Sequence, residues 1–492
     1  MTSPAAHISV IGRHIIHGPK PKSISDPFIL GPFDQVYHFA TPVKVIRIYE
    51  SVEHKTLALV PRLQRALALL LEYYPHLTGR LRVDRLTGVR SVVDMGAGMH
   101  LLDARCEATL KSYKICDSER DISLFDLPCE GANLMPPWGF SLEKAEHQPL
   151  FVVQRTEFAC SAVSIGICVS HSVCGAGGAL RLYQDFAELY RALGDCSATK
   201  PPNLSDPPDI RPFMADKMLS MDDEEKASAS AFQPSTFWTL ARDTHVKTDA
   251  EIEHRSHIDR RDDPVFGRTL IFEPEALATL KARAADPARK TTVSTFVALI
   301  AHLWKRIQIA RLSCQMCCDY QREIFSTSRF TSNIALVRHL DLSPRTFGNT
   351  VVSPFVNPST MNLIAQSISQ TADLVSTMIQ NVSKEEAYAT GSWIAAQAQK
   401  SASAISFQFP IRESSIITTG WHRFPMYSGA KLDVLPTLTS PVAMGEGSFD
   451  HDGGLIVSEG RKMDGGVECV LSLRTSTWHA LDSDKHFTWV LS

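Results

Sequence analysis

No run of 18 apolar residues occurs anywhere in the 492-residue chain, and the opening stretch MTSPAAHISVIGRHIIHGP lacks the basic start and apolar centre of a secretory leader. The expectation is a cytoplasmic protein with no membrane span. Excess charge is also missing. The 50 lysines and arginines stand against 53 aspartates and glutamates, a net charge of −3, so nothing draws the chain towards nucleic acid or an anionic membrane. A disulfide framework is not indicated either. The cysteine count, 11, is odd, and Cys160, Cys168 and Cys469 lie in apolar strand-like runs, as reduced thiols do. Cys314, Cys317 and Cys318 in SCQMCCDY have no second paired cluster to complete a zinc site, so they are expected in a strand core and no metal is expected. H-E-x-x-H and G-x-S-x-G are absent, which leaves zinc-hydrolase and serine-hydrolase chemistry without its usual footing.

The residues that remain are those of an ordinary globular protein. A hydrophobic content of 44% supplies a large core, and the length suits two domains of about 200 residues each. The first lobe is read as residues 1–195, with a helix near 56–74 whose Val60, Leu63, Leu67, Leu70 and Tyr74 share a face. Pro61 fits its first turn, where the missing N–H has no helical partner, and Pro75 ends it. Residues 196–263 carry PPNLSDPPDIRP, MDDEEKASAS and HIDRRDDP, the composition of a crossover linker. The second lobe, 264–492, opens with a strand at Arg268–Phe272 and a helix at Pro274–Ala284. A helix capped by Ser294 follows, burying Val297, Ile300, Ala301 and Trp304. Strands are then expected at Cys314–Cys318, Thr350–Pro354, Ser415–Thr419, Gly454–Ser458 and Val467–Leu473.

The most telling segment is AVSIGICVSHSVCGAGGALRLYQDFAELY, residues 162–190. Val163, Ile165, Ile167 and Val169 alternate as in a half-buried strand, and Leu182, Phe186, Leu189 and Leu193 recur at helical spacing. His171 stands between them, beside glycines 175, 177 and 178, which turn the backbone and leave room for a substrate next to an exposed imidazole. Imidazole is the side chain best suited to take a proton from a hydroxyl near neutral pH.

Around His171 other segments fall in order from Gly31 to Leu473. They are GPFDQ (Gly31–Gln35), EYYPHLTGRL (Glu72–Leu81), STFVALIAHLW (Ser294–Trp304), PRTFGNTV (Pro344–Val351), TTGW with FPMY (Thr418–Tyr427) and DGGVECVLSL (Asp464–Leu473). Together they make the chain resemble the BAHD superfamily of acyl-CoA-dependent acyltransferases of secondary metabolism. The resemblance implies an α/β fold of two similar lobes, each a mixed sheet with flanking helices as in chloramphenicol acetyltransferase, with the active-site channel between them. It implies a monomer with no tightly bound cofactor, taking acyl-CoA and a small-molecule acceptor from opposite faces, in a setting such as fungal secondary metabolism. By the same resemblance His171 is the general base, Thr419 and Trp421 steady the oxyanion, and Asp34, Gly175 and Asn349 belong to the substrate-binding set.

Two family motifs are altered. Counting H-x-x-x-D from His171 ends on Gly175, where the family has an aspartate that pairs with a second-lobe arginine and fixes the histidine loop. On one alignment the arginine's position is Gln321, with Asp319 and Arg322 as other pairing candidates. The D-F-G-W-G segment expected after Tyr427 is replaced by SGAKLDVLP, Ser428–Pro436, a stretch that the resemblance puts near the coenzyme A side. These departures keep two further expectations open beside acyl transfer: a cyclase, pericyclase or isomerase using His171 without coenzyme A, and a catalytically silent partner subunit.

Overall fold

The computed structural model describes residues 7–18, 24–36, 41–50, 56–113, 121–194, 201–235, 263–286, 292–314, 326–398, 414–443 and 451–490. The first strands in chain order are β1 (Ile8–Ile16), β2 (Phe28–Ile29), β3 (Pro42–Tyr49), β4 (Arg80–Val83), β5 (Arg90–Val93), β6 (Met99–Cys106), β7 (Phe151–Phe158) and β8 (Val163–Ser170). The second half adds β9 (Val265–Phe272), β10 (Arg329–Ala335), β11 (Val351–Val352), β12 (Phe355–Val356), β13 (Ser415–Gly420), β14 (Leu438–Pro441), β15 (Gly454–Glu459) and β16 (Val467–Arg474).

These strands form two large mixed sheets, ordered β1-β6-β7-β8-β3-β14 and β11-β10-β13-β15-β16-β9, and a small sheet β2-β5-β4. The first sheet is antiparallel except where β6 and β7 run parallel, and the second is parallel at β10/β13 and β13/β15. Alternation decides which core each side chain enters. Val163, Ile165, Ile167 and Val169 of β8 face the core shared with helices Val60–Tyr73 and Ala176–Ala192, while Cys168 joins a separate cluster with Ile46 and Ile48 of β3. Leu182, Phe186 and Leu189 are buried on the helix opposite, each worth about 1.5–3 kcal/mol of burial. The second core packs helix Thr295–Cys314 against the other sheet through Ile300, Trp304 and Ile307.

Several expected elements appear where the sequence puts them. Helix Val60–Tyr73 has its proline in the first turn, helix Pro274–Ala284 has the expected bounds, and Ser294 Oγ accepts from Val297 N at 3.2 Å. Two expectations need correction. Cys314 ends helix Thr295–Cys314 instead of opening a strand, because buried Ile307, Ala310 and Arg311 prolong the helical repeat to that point. Cys317, Cys318, Asp319, Gln321 and Arg322 lie outside the described residues. The boundary at 264 is also crossed, since β14 pairs with β3 and so completes the first sheet with chain from the second half. Within the linker region, 201–235 holds helices Ala215–Leu219 and Asp223–Ala231, and Met218 and Met221 pack on Ala395 and Ala396. No helix among the described residues is long and apolar enough to cross a membrane.

Candidate active site

His171 is the first residue beyond β8 and is held at both ends of its peptide unit. Its N–H donates to Thr41 O at 2.8 Å, and its carbonyl accepts from Asn349 Nδ2 at 2.7 Å. The next residue is anchored as well, through Arg90 Nη1 at 3.5 Å from Ser172 Oγ. An exposed imidazole was expected, but His171 is only 9% exposed. Burial pulls its pKa down to about 4, against opposing contributions from its own backbone and from Asn349. The ring is therefore neutral, and able to accept a proton, across the physiological range.

The glycines after His171 serve close packing between the two halves of the chain. A Cβ on Gly178 would lie 2.5 Å from the Phe347 carbonyl, and one on Gly177 would lie 3.1 Å from the Phe424 ring. A Cβ on Gly175 would lie 3.1 Å from Asn349 Oδ1. Room that was expected to serve a substrate is thus filled by the segments carrying Phe347, Asn349 and Phe424. Asp34 and Asn349, expected to touch substrate, are 1% and 2% exposed and bonded to each other. Asp34 sits in a single 3-10 turn, Pro32–Gln35, and burial raises its carboxyl to about 7 despite hydrogen bonds from Asn349 and Gly31 and the nearby charge of Arg90.

Thr419, near the end of β13, is half-buried, and Trp421 lies two residues further along, where its N–H donates to Val457 O at 2.7 Å. The indole belongs to the first core, the cluster that also holds Val173 and Cys174 just after His171. Trp421 Nε1 is buried and has no acceptor. The hydroxyl of Thr418 is buried without a partner as well, on the opposite face of the strand from Thr419. Thr418 and Arg90 were missed from the sequence. Thr418 lies inside the recognised TTGW segment, whereas no motif marked Arg90.

Next along the chain, His422 and Arg423 line a cavity of about 470 Å³ whose other walls include Lys281, Phe296, Glu459 and the start of helix Thr295–Cys314. His422 stacks on Phe296 with ring centroids 5.0 Å apart, and burial, aided by Arg423, lowers its pKa to about 4. The segment standing in for D-F-G-W-G has become a strap onto the first half. Asp433 accepts from Ala58 N at 2.8 Å, Tyr190 Oη at 2.8 Å and Arg62 Nη1 at 3.0 Å, while Ala430 O accepts from Tyr49 Oη at 2.7 Å.

Buried histidines give the fold a pH signature. Burial lowers His76 to about 3 and His171, His302 and His422 to about 4, all from an ordinary 6.5. The unfolded chain binds these protons first as pH falls, so the stability they contribute is full above pH 6.5 and is lost towards pH 4. Asp34 and Asp185, raised by burial, act in the opposite sense. Four groups against two predict a melting temperature that falls on acidification from pH 7 to pH 4.5. A thermal-unfolding series in which it holds or rises would remove these histidines as the cause.

Fold and site together define a two-lobed α/β protein whose candidate site is built on the seam between its halves. Within that class the chain belongs to the Transferase family, the BAHD acyltransferases, whose profile matches residues 6–488. Tryptamine hydroxycinnamoyltransferase 2 of Oryza sativa subsp. japonica is 25% identical over 319 residues, 65% of this chain and 63% of that protein. The matched stretch therefore spans somewhat less than two thirds of that relative. Taxadien-5-alpha-ol O-acetyltransferase of Taxus chinensis is 30% identical over 132 residues, 26% of this chain and 27% of that protein. In fold, the chain is similar to TRI101 of F. graminearum, solved with coenzyme A and deoxynivalenol, at a TM-score of 0.69 and 14% identity over 94% of this chain and 99% of that one. Vinorine synthase gives 0.64 at 15% identity over 96% of each chain.

Proposed function

We propose that the protein transfers an acyl group from an acyl-CoA thioester to a hydroxyl or amine of a small natural-product acceptor, acting as a cytoplasmic monomer. The cavity beside Trp421 carries this reading. It presents Lys281 and Arg423 together with the N-terminus of a 20-residue helix. Cations and free helical N–H groups at one place suit the phosphates of a CoA thioester. TRI101, solved with coenzyme A, shares the fold, and the relatives named above transfer hydroxycinnamoyl and acetyl groups.

The chemistry assigned to the seam is direct transfer. The neutral His171 ring takes the proton as the acceptor oxygen or nitrogen attacks the thioester carbonyl. The oxyanion forms against Trp421 Nε1–H and the Thr419 hydroxyl, a task that calls for preorganised donors and little water. Collapse breaks the C–S bond, and the imidazolium returns its proton to the leaving thiolate, so the products are an ester or amide and free CoA. The orphaned indole N–H supports this assignment, because a buried donor without a partner is rare and calls for an explanation such as a ligand.

Calorimetry with acetyl-CoA and longer acyl-CoA thioesters tests the reading. Micromolar binding is expected, with Lys281→Glu or Arg423→Glu weakening it by about 10-fold or more, the worth of a charge-assisted contact. No binding across the panel would overturn acyl transfer in favour of rearrangement of a single substrate.

A further inference from the structure

We propose that Asn349, held by Asp34, is the positioning residue for His171 in this chain, where the carboxylate of H-x-x-x-D is missing at Gly175. The proposal rests on His171 being the base and adds what keeps that base in place.

The side chain of Asn349 makes two donations from one nitrogen. Nδ2 reaches Asp34 Oδ1 at 2.9 Å and the His171 carbonyl at 2.7 Å, while its backbone N–H reaches the same Asp34 oxygen at 2.7 Å. Flipping the amide would turn its oxygen towards two acceptors, so the orientation is fixed by the partners. Asp34 is in turn fixed by Gly31 N at 3.0 Å from Oδ2. Arg90 donates to the Asp34 carbonyl at 3.4 Å and reaches Ser172, one residue past the histidine. His171 is thereby tied to the 3-10 turn of the first half and to the Phe347–Asn349 segment of the second.

That segment is itself rigidly seated. Arg345 pairs with buried Asp185 of helix Ala176–Ala192 at 2.5 Å. Asp209 brackets it from the other side, donating to Arg345 O at 3.1 Å and accepting from Phe347 N at 2.9 Å. The absence of a side chain at 178 lets the helix come down on the Phe347 carbonyl. Asn349 Oδ1 then stands 3.1 Å from where a Cβ at 175 would be. A carboxylate at 175 would meet that oxygen, so the glycine and the asparagine form one arrangement.

No other small change at 349 keeps the geometry. Aspartate would set two carboxylates against each other, alanine would free the His171 carbonyl, and glutamine would be too long for so buried a position. The test is a series of Asn349→Ala, Asp34→Asn, Gly175→Asp and Gly175→Asp/Asn349→Ala, with His171→Ala as reference. The assay is thiol release from acetyl-CoA with water and with a primary alcohol as acceptor. Asn349→Ala is expected to lower kcat by about 10- to 100-fold, the cost of a misplacement near 1 Å, with KM for acetyl-CoA within about threefold. The acid limb of its kcat profile should move to lower pH, because Asn349 supports the protonated imidazole. Gly175→Asp should be harmful alone and cost little further when added to Asn349→Ala.

Wild-type kcat in a folded Asn349→Ala or Asp34→Asn variant would overturn the proposal, as would a gain in kcat from Gly175→Asp alone. Should Asn349→Ala fail to fold, the nearly isosteric Asp34→Asn and the Gly175→Asp variant carry the decision. Turnover that survives His171→Ala defeats the assignment of the base itself. A dead His171→Ala beside a fully active Asn349→Ala defeats only the positioning role.

Discussion

His171→Ala should cut acyl transfer by about 10²- to 10⁴-fold, the usual worth of a positioned general base. The neutral ring accepts a proton at any pH above about 4, so the wild-type acid limb should lie well below that of an ordinary imidazole, and the variant should lack it. KM for the thioester should change little, since the cavity lined by Lys281 and Arg423 is built from other residues. Because His171 is 9% exposed, removing its ring leaves a small void, and a loss of about 1–3 kcal/mol is expected. Kinetics must therefore be read on protein shown to be folded. Steady-state rates across pH 4–9 decide the matter, and an unchanged kcat with an intact acid limb would take His171 out of the reaction.

Trp421→Phe is the second large effect. The indole N–H is buried without an acceptor, and its cost in the resting protein makes sense if an oxyanion meets it during turnover. Loss of one such donor lowers kcat by about 10²- to 10³-fold. Phenylalanine keeps an aromatic ring in the first core, where Trp421 is buried, so that core should hold. The expected signature is a fall in kcat with near-constant KM, since the donor acts on charge that develops only in the transition state. A matched fall in affinity would instead make the indole a ground-state contact.

Much of this architecture was legible because local rules and tertiary demands agree. Strand β8 alternates because only one of its faces meets the helices, and Pro61, Pro75 and Ser294 mark helix ends through backbone hydrogen bonding alone. His171, Asn349, Asp34 and Trp421 were picked out from short motifs. What sequence could not supply was their mutual arrangement. Asp34 and Asn349 are 315 residues apart in the chain, and no local pattern reports that one nitrogen bridges Asp34 to the His171 carbonyl. The Cys314 assignment failed for a related reason: a short apolar run suits strand and helix alike, and here the preceding helix simply continued. The strap at Asp433 shows in sequence only as an altered motif, because its partners, Arg62 and Tyr190, lie in helices hundreds of residues upstream.

Strand β14 has a consequence for how the molecule is made. Until residues 438–441 leave the ribosome, β3 is a naked edge, eight residues long and buried throughout in the finished protein. Such an edge is a template for pairing with other chains. The first sheet therefore stays unfinished until β14, far downstream of β3 in the chain, has been made. An unpaired edge of this kind is open to misassembly while the chain grows, and the two halves should not be separable by cutting the gene at the linker.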